Sequence, residues 1–123
     1  MIEANIFTAL STAAGILAVI PSTQIYPVEL PENPQLPAMA YKIVGGNAKP
    51  TFSSSGMKRL RLQLDCYGAT YLSAAGLRWA AIQSLDGYVD ANINAQLLQS
   101  LDVFRAAPRQ YCAVVEFYVF YGS

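Results

Sequence analysis

The sequence predicts an α+β domain: a mostly antiparallel four-stranded sheet, two main helices packed on one of its faces, and a long loop between the early strands. Three observations predict it. Apolar residues recur at helical spacing in two stretches, Ile2–Leu17 and Leu72–Leu85. They alternate with period two in several others, the signature of strands. The closing stretch Tyr111–Tyr121 is apolar on both of its alternating faces, as in a strand buried on both sides.

Ile2, Ile6, Ala9, Leu10, Ala13 and Leu17 share one helical stripe. The first helix is expected over Ile2 to Ser11, with a break near Gly15, a short turn up to Val19, and a stop at Pro21. Pro27, Pro31, Pro34 and Pro37 follow. Proline fixes φ and removes a donor, so this segment reads as a stiff, extended connector and not as a central strand. It packs on the surface or reaches as an arm to a neighbouring subunit. Met39 to Val44 is rich in strand formers. Residues 46–57 carry Gly46-Asn47, Pro50, three serines and Gly56, and read as a flexible loop, either a mobile hairpin tip or a segment that orders on a partner. Leu60, Leu62, Leu64 and Cys66 then alternate with Arg59, Arg61, Gln63 and Asp65, giving a strand with one apolar and one polar face.

Thr70 is placed to cap the second helix. Its expected stripe is Leu72, Ala75, Trp79 and Ile82, with Leu85 close by and Trp79 as a core anchor. Gly76 is expected to let the helix lie close to the sheet, and Gly87 to provide a left-handed C-terminal cap. Between Val89 and Arg105 the alternation breaks phase at Leu98, which favours a strand with a bulge over a short helix at Ala95–Leu101. Ala106-Ala107-Pro108-Arg109 is a turn. In the closing strand, Glu116 is the one charged residue, and a cross-strand partner is expected in Arg59 or Arg61.

The 123 residues suit one domain, 1–123. Apolar residues form 54% of the chain and charged ones 13%, against about 25% in an average soluble domain. A domain this small leaves much of its surface uncovered, so apolar side chains must lie near the surface of an isolated copy. Both this and the doubly apolar closing strand point to assembly. The formal net charge is zero, which argues against specific nucleic-acid binding. Glu3 stands where a basic signal-peptide region would be, and the apolar stretch behind it is too short and interrupted to span a bilayer, so synthesis in the cytoplasm and no membrane partner are expected.

No catalytic chemistry is legible. There is no histidine, which removes the commonest general base and metal ligand. No phosphate-cradling glycine pattern or nucleophile elbow is present. Asp86 and Asp90 flank Gly87 and read as unpartnered. Cys66 and Cys112 have no zinc or disulfide spacing and read as small buried hydrophobes. No catalytic, cofactor-binding or metal residue is assigned, and no cofactor is expected.

The order of elements, and the stretches Met1-Ile-Glu-Ala-Asn-Ile-Phe-Thr-Ala-Leu10, Ile25-Tyr-Pro-Val-Glu-Leu-Pro31, Leu36-Pro-Ala-Met-Ala-Tyr41, Leu62-Gln-Leu-Asp-Cys-Tyr-Gly-Ala-Thr-Tyr71, Leu85-Asp-Gly87 and Val115-Glu-Phe-Tyr-Val-Phe-Tyr121, resemble the tail-completion (tail-terminator) proteins of long-tailed bacteriophages and gene-transfer particles. The resemblance covers nearly the whole chain, least well at 91–109. It implies a structural protein of the virion tail. Copies would form a ring, commonly a hexamer, at the head-proximal end of the tail tube. The ring would end tube polymerisation, meet the tail tube protein on one face and the head-completion or neck protein on the other, and let DNA pass through. It also implies a tube-contact loop, for which Lys49, Phe52, Met57 and Lys58 are the candidates. Arg59, Arg61, Glu116, Tyr118 and Phe120, around the closing strand, are candidates for the subunit interface. Two other readings compete: a head-side neck or stopper protein of the same particle, and a small-molecule-binding domain lined by Trp79, Tyr67 and Asp65.

Overall fold

The computed structural model describes residues 1–46 and 58–122. The chain opens with α1 (Ile2–Thr12) and one further turn, α2 (Ala14–Leu17); the helix is broken, but at the extended Ala13 and not at Gly15, which lies inside α2. A 3-10 turn at Ser22–Gln24 leads into β1 (Ile25–Pro27). Then come β2 (Ala38–Gly46), β3 (Lys58–Gly68) and α3 (Tyr71–Leu85). The chain closes with β4 (Ile93–Ser100), β5 (Phe104–Ala107) and β6 (Gln110–Tyr121). The expected loop lies outside the described residues apart from Gly46, which ends β2.

The sheet differs from the expected four antiparallel strands. Among the described residues it has six strands in the order β1-β2-β3-β6-β4, with β5 beside β6, and it is mixed because β1 runs parallel to β2. The two extra strands are short. β1 is three residues inside the proline-rich segment, where proline is tolerated on an edge. The Gln24 amide donates to the Pro37 carbonyl and ties the two ends of the loop between β1 and β2. β5 is four residues that extend the β4 edge along β6. The phase break at Leu98 is a register shift between Leu97 and Gln99, so the bulged strand forms and the alternative helix does not.

β6 lies between β3 on one side and β4 and β5 on the other, so both of its edges are paired; its doubly apolar pattern concerns its faces, and among the described residues helices cover only one of them. β3 and β4 are each antiparallel to β6 and therefore parallel to one another, so β3–α3–β4 is a βαβ unit split by β6. The core forms where Leu60, Leu62, Leu64 and Cys66 of β3 stand opposite Val119, Phe117, Val115 and Ala113 of β6. Ile6 and Leu10 of α1, Ile16 of α2 and Leu77 of α3 cover this face. All three helices therefore pack on one side of the sheet.

α3 begins as expected, with Thr70 Oγ1 accepting from the Ser73 amide at 3.1 Å, and Gly87 follows it at φ +80°. Its orientation is different from the expected one. The buried stripe is Ala74, Leu77, Ala81 and Leu85, while Leu72 is 77% and Trp79 59% exposed. Trp79 is therefore no core anchor. Both stripes satisfy helical spacing; the alanine-lined one wins because small side chains let the helix axis sit close to the sheet. Gly76 lies on the outward side, and a Cβ added to it would meet nothing within 4 Å, so it plays no part in the expected close approach.

Asp86 and Asp90, read from the sequence as unpartnered, dress the outer edge of β4. Asp86 Oδ1 accepts from the Leu97 amide at 3.0 Å. Asp90 accepts from the amides of Asn92 and Ile93 and from the Tyr88 hydroxyl, and these bonds, the Tyr88 one foremost, hold its carboxyl below the ordinary value. With the Ala95–Tyr88 and Gly87–Ala95 backbone bonds, they occupy an edge that would otherwise invite strand addition.

The edge at β1 carries strain. Val28 has φ 69°, a conformation that a β-branched residue adopts at a cost of roughly 1–3 kcal/mol. Its amide is fixed by a 2.8 Å bond to the Tyr41 carbonyl, and its side chain is exposed. Val28→Asn, which accepts this backbone more readily, is expected to raise stability by about 1 kcal/mol, read as a higher denaturant midpoint with an unchanged slope. An unchanged or lower midpoint would show that the Val28 side chain contributes contacts worth more than the strain.

Candidate functional site

The face of the sheet away from the helices is built by the alternate residues of the same strands. β3 contributes Arg59, Arg61, Gln63, Asp65 and Tyr67, and in register β6 contributes Phe120, Tyr118, Glu116, Val114 and Cys112. β2 adds Ala38, Ala40 and Lys42, opposite Tyr67, Asp65 and Gln63. β4 adds Asn94 and Gln96, opposite Phe120 and Tyr118. Among the described residues no helix lies on this face.

Arg59, Arg61, Glu116, Tyr118 and Phe120, the five candidate interface residues, come together on it. The carboxylate at Glu116 finds its partner in Arg61, diagonally across the strand pair. Arg61 Nε and Nη2 donate to Glu116 Oε1 at 3.1 and 2.6 Å, and Gln99 Nε2 donates to Oε2 at 3.2 Å. The bond to Glu116 holds the guanidinium firmly charged. Arg59, the other expected partner, stacks on the Tyr118 ring at 4.5 Å, and Phe120 stands 6.3 Å beyond. Lys42 and Gln63 both reach Asp65. Asp65 and Glu116 are each only 7% exposed, although nothing helical covers them; their neighbours along the sheet shield them. This shielding partly answers the demand that the doubly apolar strand makes for a cover. Tyr118 and Phe120 stay half-buried.

The Arg61–Glu116 pair is asymmetric. The glutamate side chain is 9% exposed, whereas the arginine side chain is 45% exposed and swings to water readily. Removing the cation strands a shielded carboxylate; removing the carboxylate strands nothing. Arg61→Met is therefore expected to lower the urea midpoint more than Glu116→Leu, which should stay within about 1 kcal/mol of the parent. The reverse order would mean that Glu116 supports the fold through more than its charge.

The other expected groups are placed as follows. Lys58 opens β3; Lys49, Phe52 and Met57 lie outside the described residues. Cys66 points into the core and Cys112, diagonal to it on β6, to the opposite face, so they form no disulfide with each other. Burial pushes both thiols up, Cys112 to about 12, and burial beside Cys112 and Asp65 raises the Tyr67 hydroxyl to about 12. These groups stay uncharged near neutral pH. Trp79 stands on α3, on the other side of the sheet from Tyr67 and Asp65, so the three do not line one pocket. Among the described residues no group of three His, Cys, Asp or Glu side chains is arranged to hold a metal, and no helix is long and apolar enough to cross a membrane. Sequence reasoning missed one further surface, the exposed side of α3 with Leu72 and Trp79. The available signal was the second stripe of helical spacing, Ala74, Leu77, Ala81 and Leu85, whose small residues could face the sheet instead.

No protein-family model and no curated protein matches the chain. Among solved structures, the fold is similar to that of a chain in a structure described as the virion of a native gene transfer agent (GTA) particle. The TM-score is 0.67 over 96% of this chain and 92% of the other, at 12% sequence identity.

Proposed function

We propose that this protein is a structural component of a phage-like particle, and that its copies form a ring, commonly a hexamer, that caps the head-proximal end of the tail tube. The observation that carries the reading is the fold likeness to a virion chain, which spans almost all of both chains. The order and spacing of the tail-terminator-like stretches in the sequence support the finer role. So does a sheet face that carries aromatic and charged side chains and no helical cover. In this reading the ring binds the tail tube protein through Lys49, Phe52, Met57 and Lys58, and offers its other face to the head-completion protein. It takes no cofactor and performs no catalysis.

Electron microscopy and native mass of the purified protein, alone and with tube protein, test this. A ring with a central channel, seated at one tube end and stopping its growth, is expected. A monomer that remains monomeric beside growing tubes, and leaves their length unchanged, sinks the capping role. Deletion of residues 48–56 should abolish tube capping without preventing ring formation; unchanged capping would remove the loop from the contact.

A further inference from the structure

The sheet is open at two places, one on each edge. Asp86 and Asp90 dress β4, but β5 pairs with β6 on one side and, among the described residues, with no strand on its other. At the far edge, β1 covers only Met39–Tyr41 of β2. Val28, at φ 69°, then turns the chain away. Among the described residues, Lys42–Gly46 therefore have β3 on one side and no strand on the other. Open edges of this kind invite strand addition, and these two are similar in length.

The charges that find no partner among the described residues divide between these two edges. Lys42 pairs with Asp65 and Arg61 with Glu116, Arg59 stacks on Tyr118, and Arg78, Asp86, Asp90 and Asp102 are all hydrogen-bonded. The carboxylates left over are Glu3, Glu29 and Glu32, all exposed. Glu29 and Glu32 follow β1, and Glu3 of α1 lines a recess together with Pro27 and Ile43. The arginines left over are Arg105 on β5 and Arg109 in the turn after it, also exposed. One edge of the sheet is thus acidic and the other basic.

The recess has a volume of about 210 Å³, room for one long side chain, and opens beside the uncovered part of β2. Its floor is Ile6, Tyr41 and Ile43, with Glu3 at the rim; Lys42 also borders it but is paired with Asp65. An apolar floor beside a carboxylate suits an arginine, whose methylenes lie on apolar surface while the guanidinium reaches the acid. The sides agree as well. Arg105 stands opposite Tyr111, which packs against the core, so it lies on the helix-covered side, where Glu3 is.

We propose that β5 of one copy adds to the uncovered part of β2 in a second copy, joining the two sheets edge to edge, with Arg105 in the recess against Glu3 and Arg109 facing Glu29 and Glu32. Within one copy β5 runs antiparallel to β2, so copies turned about a common axis present antiparallel edges to one another. The contact is head-to-tail, and such contacts close into rings or run on as filaments. The two edges lie at different levels: Arg105 is level with Tyr111 of β6 and Ile43 with Phe117, six residues or about 20 Å along the strand. Four strand spacings, about 19 Å, separate one β2 from the next. Copies at one height therefore incline their strands by roughly 45°, at the upper end of the tilt in closed barrels. This rests on the ring reading above and names the surfaces that would make the ring; the open sheet face with Arg59 and Tyr118 stays outside the contact.

Charge reversal and cysteine cross-linking of the full chain test it. Arg105→Glu with Arg109→Glu should weaken association about tenfold or more by sedimentation, and so should Glu3→Lys with Glu29→Lys and Glu32→Lys. All five changes in one chain should restore it, which a merely damaged fold would not do. Trp79→Glu, an exposed site on α3, should leave association unchanged. For the cross-link, Val44→Cys is introduced into one preparation and Phe104→Cys into another; both positions are exposed, and the native thiols are buried. On mild oxidation the mixture is expected to form a disulfide-linked dimer, and neither variant alone. A Phe104→Cys dimer formed alone would mean that β5 meets β5, and overturns the proposal. So does a ring seen by microscopy that neither cross-links in the mixture nor responds to charge reversal, an outcome that leaves the ring itself standing. A ring joined through these edges that fails to cap tubes keeps this contact and removes the capping function.

Discussion

Phe117→Ala is expected to lower the free energy of unfolding by about 3–5 kcal/mol, the largest loss of any single truncation in this domain. Phe117 is fully buried on the central strand and stands opposite Leu62 on β3 and Leu97 on β4. Its ring lies in the sheet layer that α1 and α3 cover, so no side chain slides in from solvent to fill the space. The loss includes the transferred surface and the cavity left behind. Small domains are stable by only about 5–15 kcal/mol, so the variant should sit near the edge of folding at 37 °C. Urea unfolding at 25 °C measures it. A loss under about 1.5 kcal/mol would mean that the core collapses around the gap, and that the sheet is more deformable than its two-sided pairing implies.

Gly68→Ala is expected to cost about 2–3 kcal/mol, at the upper end of what overpacking costs, although only a methyl group is added. Gly68 ends β3, two residues before the cap of α3. An added Cβ would lie 2.5 Å from the Ala74 amide nitrogen and 2.7 Å from Ser73 Oγ. The serine hydroxyl can rotate away, but Ser73 Cβ, 2.8 Å distant, is held by the helix backbone. The amide is fixed as well, because it donates to the Thr70 carbonyl in the first turn of α3. The methyl group must therefore push strand and helix apart where the helix first meets the sheet. Gly76→Ala is the internal control: the same chemical change, eight residues on, meets open space and should stabilise the isolated chain by up to about 1 kcal/mol. Thermal unfolding of both variants reads the contrast. Equal shifts of the same sign would overturn the account of the junction.

Local pattern carried much of the fold. Thr70 as a cap, Gly87 in the left-handed region and the phase slip at Leu98 are short-range features, and each stands where its spacing put it; the break after α1 falls at Ala13, two residues before the expected Gly15. The pairing of Glu116 with an arginine of β3 was legible because Glu116 is the one charged residue of an apolar strand and the arginines of β3 alternate onto a single face; that Arg61 and not Arg59 takes it depends on the diagonal geometry of the twisted pair. β1 was not legible as a strand. Its three residues have no alternation to detect, and only the approach of β2 makes them one. The rotation of α3 was misread for a different reason. A helix apolar nearly all round presents several stripes with equal spacing, and the stripe that faces inward is the one whose small side chains fit the sheet.

By itself the sequence determined the class of the domain, the apolar character of both faces of β6 and a surface poor in charge with no evident chemistry, because these follow from composition and from side-chain period. Only the tertiary structure decided that the five candidate interface residues share one uncovered sheet face, and that Leu72, Gly76 and Trp79 look outward from the opposite layer. Period tells which residues lie on the same side of an element. Which side meets the core, and which is left for another chain, depends on volumes and approach distances that exist only once the layers are packed.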